Sequence, residues 1–186
     1  MTPPHTYAEW SACLEAFGRG DSDEIALDAM RAGTLSWSGG VAPLFARRIS
    51  EVLSLRLQRV ADEMARALRA GHAGAGHVAL SRTLLDARRK LWVLSRLAQL
   101  PALPAEVRDS LQGQLRQYAS QAQQSLEDSA QGDRSGQLAS VIRHNALVRF
   151  DTEPVPEPPP VAGAAAPSPA GQPTGDPIRR RRNILA

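Results

Sequence analysis

The feature that most constrains the fold is a long series of apolar residues at helical spacing in the first half of the chain. These residues recur every three or four positions, and charged side chains fall mostly between them. They are Phe45, Ile49, Val52, Leu53, Leu57, Val60, Met64 and Leu68. Such a spacing places the apolar side chains on one face of a helix, and good helix formers fill the gaps. The pattern predicts one long amphipathic helix over residues 42–70.

A glycine-rich segment follows this helix and predicts a turn. Three glycines stand within residues 71–76, which is hard to reconcile with a continuing helix. Residues 77–100 again carry apolar side chains at helical spacing and stop before Pro101. Because the connection is short, we expect the two helices to pack antiparallel.

Further amphipathic stretches lie on both sides of this pair, and their apolar residues also recur at helical spacing. They cover residues 7–17, 25–30, 104–130 and 138–142. No stretch shows the sustained alternation of a strand. We therefore predict an all-α fold, an antiparallel bundle of about five or six helices within residues 1–150. Residues 1–33 hold two short amphipathic helices, and residues 42–148 form the main bundle.

The pattern leaves open what the first two helices contact. Their apolar faces suit either the bundle or a second protein. The long helix could also pair with another chain as a coiled coil, although its apolar spacing is not a strict heptad. Self-association therefore stays open at this point.

The composition changes after Phe150. Residues 151–186 contain nine of the fourteen prolines and no aromatic residue. A segment of this kind cannot bury enough apolar surface to offset the entropy lost on ordering. The sequence predicts a disordered Pro/Ala-rich C-terminal tail over residues 151–186.

An arginine-rich motif lies within this tail. Arg179, Arg180, Arg181 and Arg182 are consecutive, and Ile178, Ile184 and Leu185 flank them. A purely electrostatic arm for nucleic acid or anionic lipid would not need these apolar neighbours, whereas a peptide that docks in a protein groove needs apolar anchors beside its charges. We therefore take these seven residues as the candidate partner-binding site.

Three classes of function follow from these features. The first is a non-enzymatic adaptor or assembly factor, whose helical domain engages a protein partner or itself while the tail docks a second partner. The alternative is a nucleic-acid-associated accessory protein that uses the tail together with Arg47, Arg48, Arg88 and Arg89. A small helical enzyme is the third class, and no catalytic motif supports it.

Two groups of side chains resemble metal ligands, and neither is convincing. His72 and His77 flank the glycine turn, but no cysteine or acidic cluster supplies further ligands. Glu127, Asp128 and Asp133 lack the alternating ligands of a calcium loop. We expect no metal and no other cofactor.

The sequence also bears on the compartment. Cys13 is the only cysteine, which excludes an intramolecular disulfide and suits a small buried residue on the first helix. No window reaches the ~18 to 20 uninterrupted apolar residues of a spanning helix, and the first residues do not resemble a signal peptide. We expect a cytoplasmic protein without a transmembrane segment.

Overall fold

The computed structural model describes residues 1–20, 22–35, 40–72, 77–132 and 136–151. Within these ranges the chain forms six α-helices and one short 3-10 helix, and it contains no β-strand. The helices are α1 (Tyr7–Arg19), α2 (Asp23–Ala32), α3 (Val41–His72), α4 (His77–Leu97), α5 (Ala105–Ala130), α6 (Gln137–His144) and the 3-10 helix Leu147–Arg149. The predicted all-α bundle is confirmed.

The predicted tail is not part of this description. The described residues all belong to one compact unit. The tail beyond Asp151, with the whole arginine motif from Ile178 to Leu185, lies outside the described residues. Its disorder and its role as a binding site therefore stay predictions.

Helices α3 and α4 form the central antiparallel pair. Each carries an apolar face into one continuous core, in which Leu53 and Leu84 are almost fully buried. Helix α4 ends at Leu97, three residues before the predicted end at residue 100. The reason is a tighter turn, in which the N–H of Leu100 donates to the carbonyl of Leu97.

The two N-terminal helices pack on the bundle, which answers the question that the sequence leaves open. Trp10 of α1 is fully buried, and its ring meets that of Phe45 of α3 edge to face, with centroids 5.4 Å apart. The indole N–H of Trp10 donates to the carbonyl of Thr34 at 3.1 Å, so the chain after α2 is also held. These contacts make α1 and α2 part of the folded domain.

Both ends of α1 are fixed by local sequence. Thr6 and Glu9 form a capping box at its start. The backbone N–H groups of His5 and Thr6 donate to Glu9, and these hydrogen bonds hold the pKa of this carboxyl below its ordinary value of 4.5. At the other end, Gly20 takes a φ of 85°, a left-handed conformation that favours glycine. The turn at Gly20 leads directly into α2.

Helices α5 and α6 and the 3-10 helix complete the core, and two buried polar side chains link these elements by hydrogen bonds. Gln123 of α5 accepts a hydrogen bond from the N–H of Leu147 at 2.9 Å. Asn145 donates to the Ser81 hydroxyl at 3.2 Å and to the carbonyl of Val141 at 2.8 Å. These bonds tie the chain after α6 to both α5 and α4.

Candidate functional site

The four arginines that we considered for nucleic acid binding do not form one basic patch. Arg47 lies near the start of α3, whereas Arg89 lies in the middle of α4, next to Lys90, which contacts Glu63. The 16 residues from position 47 to position 63 of α3 span about 24 Å of helix. Arg88 is only 4% exposed and belongs to the interior.

The two arginines near the start of α3 are balanced by carboxylates. Arg47 pairs with Glu51 at 3.0 Å. Arg48 pairs with Glu15 of α1 at 2.8 Å and with Glu51 at 3.6 Å. Because each positive charge has a negative neighbour, this surface attracts a phosphate backbone only weakly.

A cleft lined mainly by charged side chains lies where α1, α2, α3 and α4 meet. It has a volume of about 390 Å³. Its lining residues are Arg19, Gly20, Asp23, Arg56, Arg59, Val60, Glu63, Asp86, Arg89, Lys90 and Val93. What this cleft can do depends on how its charges are paired.

Arg56 lies at the centre of this junction between helices and is only 7% exposed. Its two terminal nitrogens donate to the two carboxylate oxygens of Asp23 at 2.9 and 2.6 Å, and one of them also donates to the carbonyl of Phe17 at 2.7 Å. The guanidinium lies over the Phe17 ring, 5.1 Å from its centroid. One side chain therefore joins α3 to the end of α1 and the start of α2.

Arg59 lies one turn further along α3 and binds the same C-terminal end of α1. It donates to the carbonyl of Gly18 at 2.7 Å and to that of Arg19 at 3.2 Å. Carbonyls of a last helical turn have no partner within their own helix, and the helix dipole favours positive charge there. Arg56 and Arg59 together act as a cap for α1 that is supplied by another helix.

Lys90 closes the cleft on the side of α4. Its ammonium lies between Glu63 at 2.5 Å and Asp86 at 2.8 Å. Burial opposes the charged form, but the hydrogen bonds to Asp86 and Glu63 outweigh it and raise the pKa of Lys90 above its ordinary value of 10.5. A lysine held protonated in this way is poorly suited to act as a nucleophile or a general base.

The charges of the cleft therefore hold helices together. A further pair, Arg96 of α4 with Glu24 of α2 at 2.6 Å, extends the same arrangement. Arg89 lies at the edge of the cleft, is exposed, and has no ion pair within the described ranges.

Sequence reasoning missed the role of Arg56, although a signal for it was present. Arg56 follows Ile49 and Val52 at the spacing of the core-facing stripe and is flanked by the buried Leu57. A charge at such a position must be paired when it is buried. The partner itself, Asp23, is 33 residues away in sequence and has no local signal.

The described ranges contain neither a cluster of metal ligands nor a membrane-spanning helix. There, no group of three or more His, Cys, Asp or Glu residues is placed to hold a metal ion. None of the described helices is both long and apolar enough to cross a bilayer. Cys13 is buried as predicted, and burial raises the pKa of its thiol above the ordinary value of 9.0.

The fold and this junction define a class, an all-α helical bundle whose buried and half-buried charges join its first four helices. No protein-family model, no curated protein and no solved structure matches the chain.

Proposed function

We propose that this protein is a non-enzymatic adaptor or assembly factor of the cytoplasm. Its helical domain engages a protein partner or itself. The segment from Ile178 to Leu185 docks a second partner, which presents an acidic surface with apolar pockets. A chain built in this way brings two proteins together.

The observation that supports this proposal is the pairing of the bundle's arginines. Arg48, Arg56 and Arg96 each bind a carboxylate of a neighbouring helix, and Arg59 binds backbone carbonyls. Their charges serve the fold, so they contribute little to attracting an external anion. The four consecutive arginines at 179–182 are the largest cluster of positive charge in the sequence that these pairs do not include.

The residues around those arginines favour a protein over nucleic acid as the partner. Ile178, Ile184 and Leu185 supply apolar side chains at both ends of the cluster. Side chains anchored in pockets carry much of the affinity of protein interfaces, whereas binding to phosphates is dominated by charge and has no need of apolar neighbours. Attachment to a folded domain raises the effective concentration of such a short motif.

The test is a pull-down from the native cell extract with the full chain as bait. We would compare the unaltered chain with the Ile184→Ser/Leu185→Ser double variant at one salt concentration. The matched control is Val155→Ser/Val161→Ser, which removes two apolar side chains from the same tail but outside the motif. Nuclease treatment and a second salt concentration complete the design.

We expect a nuclease-resistant protein partner that is captured by the unaltered chain and by the control but lost with the Ile184→Ser/Leu185→Ser variant. Capture that is indifferent to Ile184 and Leu185 would contradict the docking motif. Material that disappears with nuclease, and whose binding falls steeply with salt, would show a nucleic-acid-associated protein instead.

A further inference from the structure

The outer face of α3 carries two leucines that the fold leaves exposed. Leu44 is 59% exposed and Leu55 is 49% exposed. They are separated by 11 residues, about three turns of helix, so they project from the same side. Arg48 and Glu51 lie between them on that side, with side chains 34% and 49% exposed.

The order of these four residues is self-complementary. We call these four residues the stripe. Along α3 their order is leucine, arginine, glutamate, leucine, and in the reverse direction the leucines keep their places while arginine and glutamate change places. A twofold axis between residues 49 and 50 would place Leu44 of one chain opposite Leu55 of a second chain, and Arg48 opposite Glu51. An interface with twofold symmetry requires this kind of match between a surface and itself.

The surface beside the stripe has room for an incoming side chain. A cleft of about 250 Å³ lies between α1 and α3 next to Leu55. Gly18 and Val52 line this cleft, and the charged Glu15 and Arg48 line it as well. A leucine from a second chain suits a cleft that combines apolar walls with charges at its edge.

We infer that a second copy of this chain docks on this face, α3 against α3 in antiparallel orientation. The inference rests on the proposed function only in its statement that the helical domain engages itself, and the arginine motif takes no part in it. The contact uses one helix face and falls at the small end of protein interfaces, below about 1,200 Å². Weak and transient complexes are typical of this end of the size range, so we expect a weak and reversible dimer.

The experiment is sedimentation velocity of the full chain over a range of protein concentrations. Arg48→Glu places two glutamates opposite each other across the axis, and Glu51→Arg places two arginines opposite each other. Each variant alone should dimerise at least about tenfold more weakly than the unaltered chain, because like charges in an interface repel. An equimolar mixture of the two variants should recover dimers, since glutamates of one chain then face arginines of the other.

A leucine substitution provides an independent measurement. Leu44→Ser should also weaken the dimer, and it serves as the second probe where Arg48→Glu alters the fold through loss of its contact with Glu15. The matched control is Ile25→Ser, because Ile25 is 58% exposed on α2 and lies away from the stripe. Circular dichroism would establish that each variant keeps its helical content.

Several results would overturn the inference. They are an unaltered chain that stays monomeric at all concentrations, folded charge variants that dimerise normally, and a mixture of folded variants that recovers no dimer. The Ile184→Ser/Leu185→Ser variant should dimerise like the unaltered chain. An unaltered chain that stays monomeric while its motif still docks a partner would therefore refute this interface alone and leave the adaptor function standing.

Discussion

Replacing Arg56 with methionine tests the junction of α1, α2 and α3 most directly. The substitution keeps the length and apolar stem of the side chain but removes three hydrogen bonds, two to Asp23 and one to the carbonyl of Phe17. Removing one partner of a buried ion pair costs about 3 to 5 kcal/mol, because the other charge is left without a partner. The Asp23 side chain is 22% exposed and can regain some water, which favours the lower end of that range.

We therefore expect the free energy of unfolding to fall by about 3 kcal/mol. In a domain of this size each kcal/mol corresponds to about 2 to 4 °C, so the melting temperature should fall by about 6 to 12 °C. Urea unfolding followed by circular dichroism would measure the first quantity, and a thermal scan the second. Combining Arg56→Met with Asp23→Asn in a double-mutant cycle should show that most of the loss is shared between the two residues.

Arg47→Met provides the matched control on the same helix. The Arg47 side chain is 81% exposed in its pair with Glu51, and exposed ion pairs contribute about 1 kcal/mol or less. If Arg56→Met lowered stability no more than Arg47→Met, or if the cycle showed no coupling to Asp23, the account of the junction would be refuted.

Three further predictions concern a contrast between two glycines, the Tyr118 hydroxyl and the Cys13 thiol. Gly20→Ala should lower the free energy of unfolding by about 2 kcal/mol, because alanine disfavours this left-handed conformation and its Cβ would lie close to Arg56. That Cβ would meet the Arg56 Nη1 at 2.8 Å, whereas a Cβ at Gly113, inside α5, meets nothing within 4 Å. Gly113→Ala should instead raise stability by about 0.5 to 1 kcal/mol, and urea unfolding of both variants would reveal any failure of this contrast. The Tyr118 hydroxyl is buried without a hydrogen-bond partner among the described residues, so Tyr118→Phe should raise stability near neutral pH by about 1 kcal/mol. Burial and the nearby Asp62 carboxylate raise the pKa of Tyr118 to about 12 from 10.0, so the folded chain holds a proton that the unfolded chain releases. Stability of the unaltered chain should therefore fall more steeply above pH 10.0 than that of Tyr118→Phe, and equal slopes in urea unfolding across that range would contradict the assignment. Cys13 is buried with a raised pKa, so a thiol reagent should modify it only as fast as the chain opens, and immediate labelling of the folded protein would contradict its burial.

The helices themselves could be predicted from the sequence. The pattern predicts a helix over residues 42–70, and α3 covers Val41–His72. It predicts another over residues 104–130, and α5 covers Ala105–Ala130. These features depend on spacing, propensity and breaking residues within a few positions of one another, so they are readable locally.

The contacts between helices required the tertiary structure. The bond of Arg56 to Asp23 spans 33 residues, and that of Arg96 to Glu24 spans 72. The separation of Arg47 from Arg89 and the packing of Trp10 on Phe45 also depend on which helix faces meet. Amphipathic patterns show that a helix has a buried face, but many partners can cover such a face. The core as a whole selects the partner, and the pairing of the charges follows from that choice.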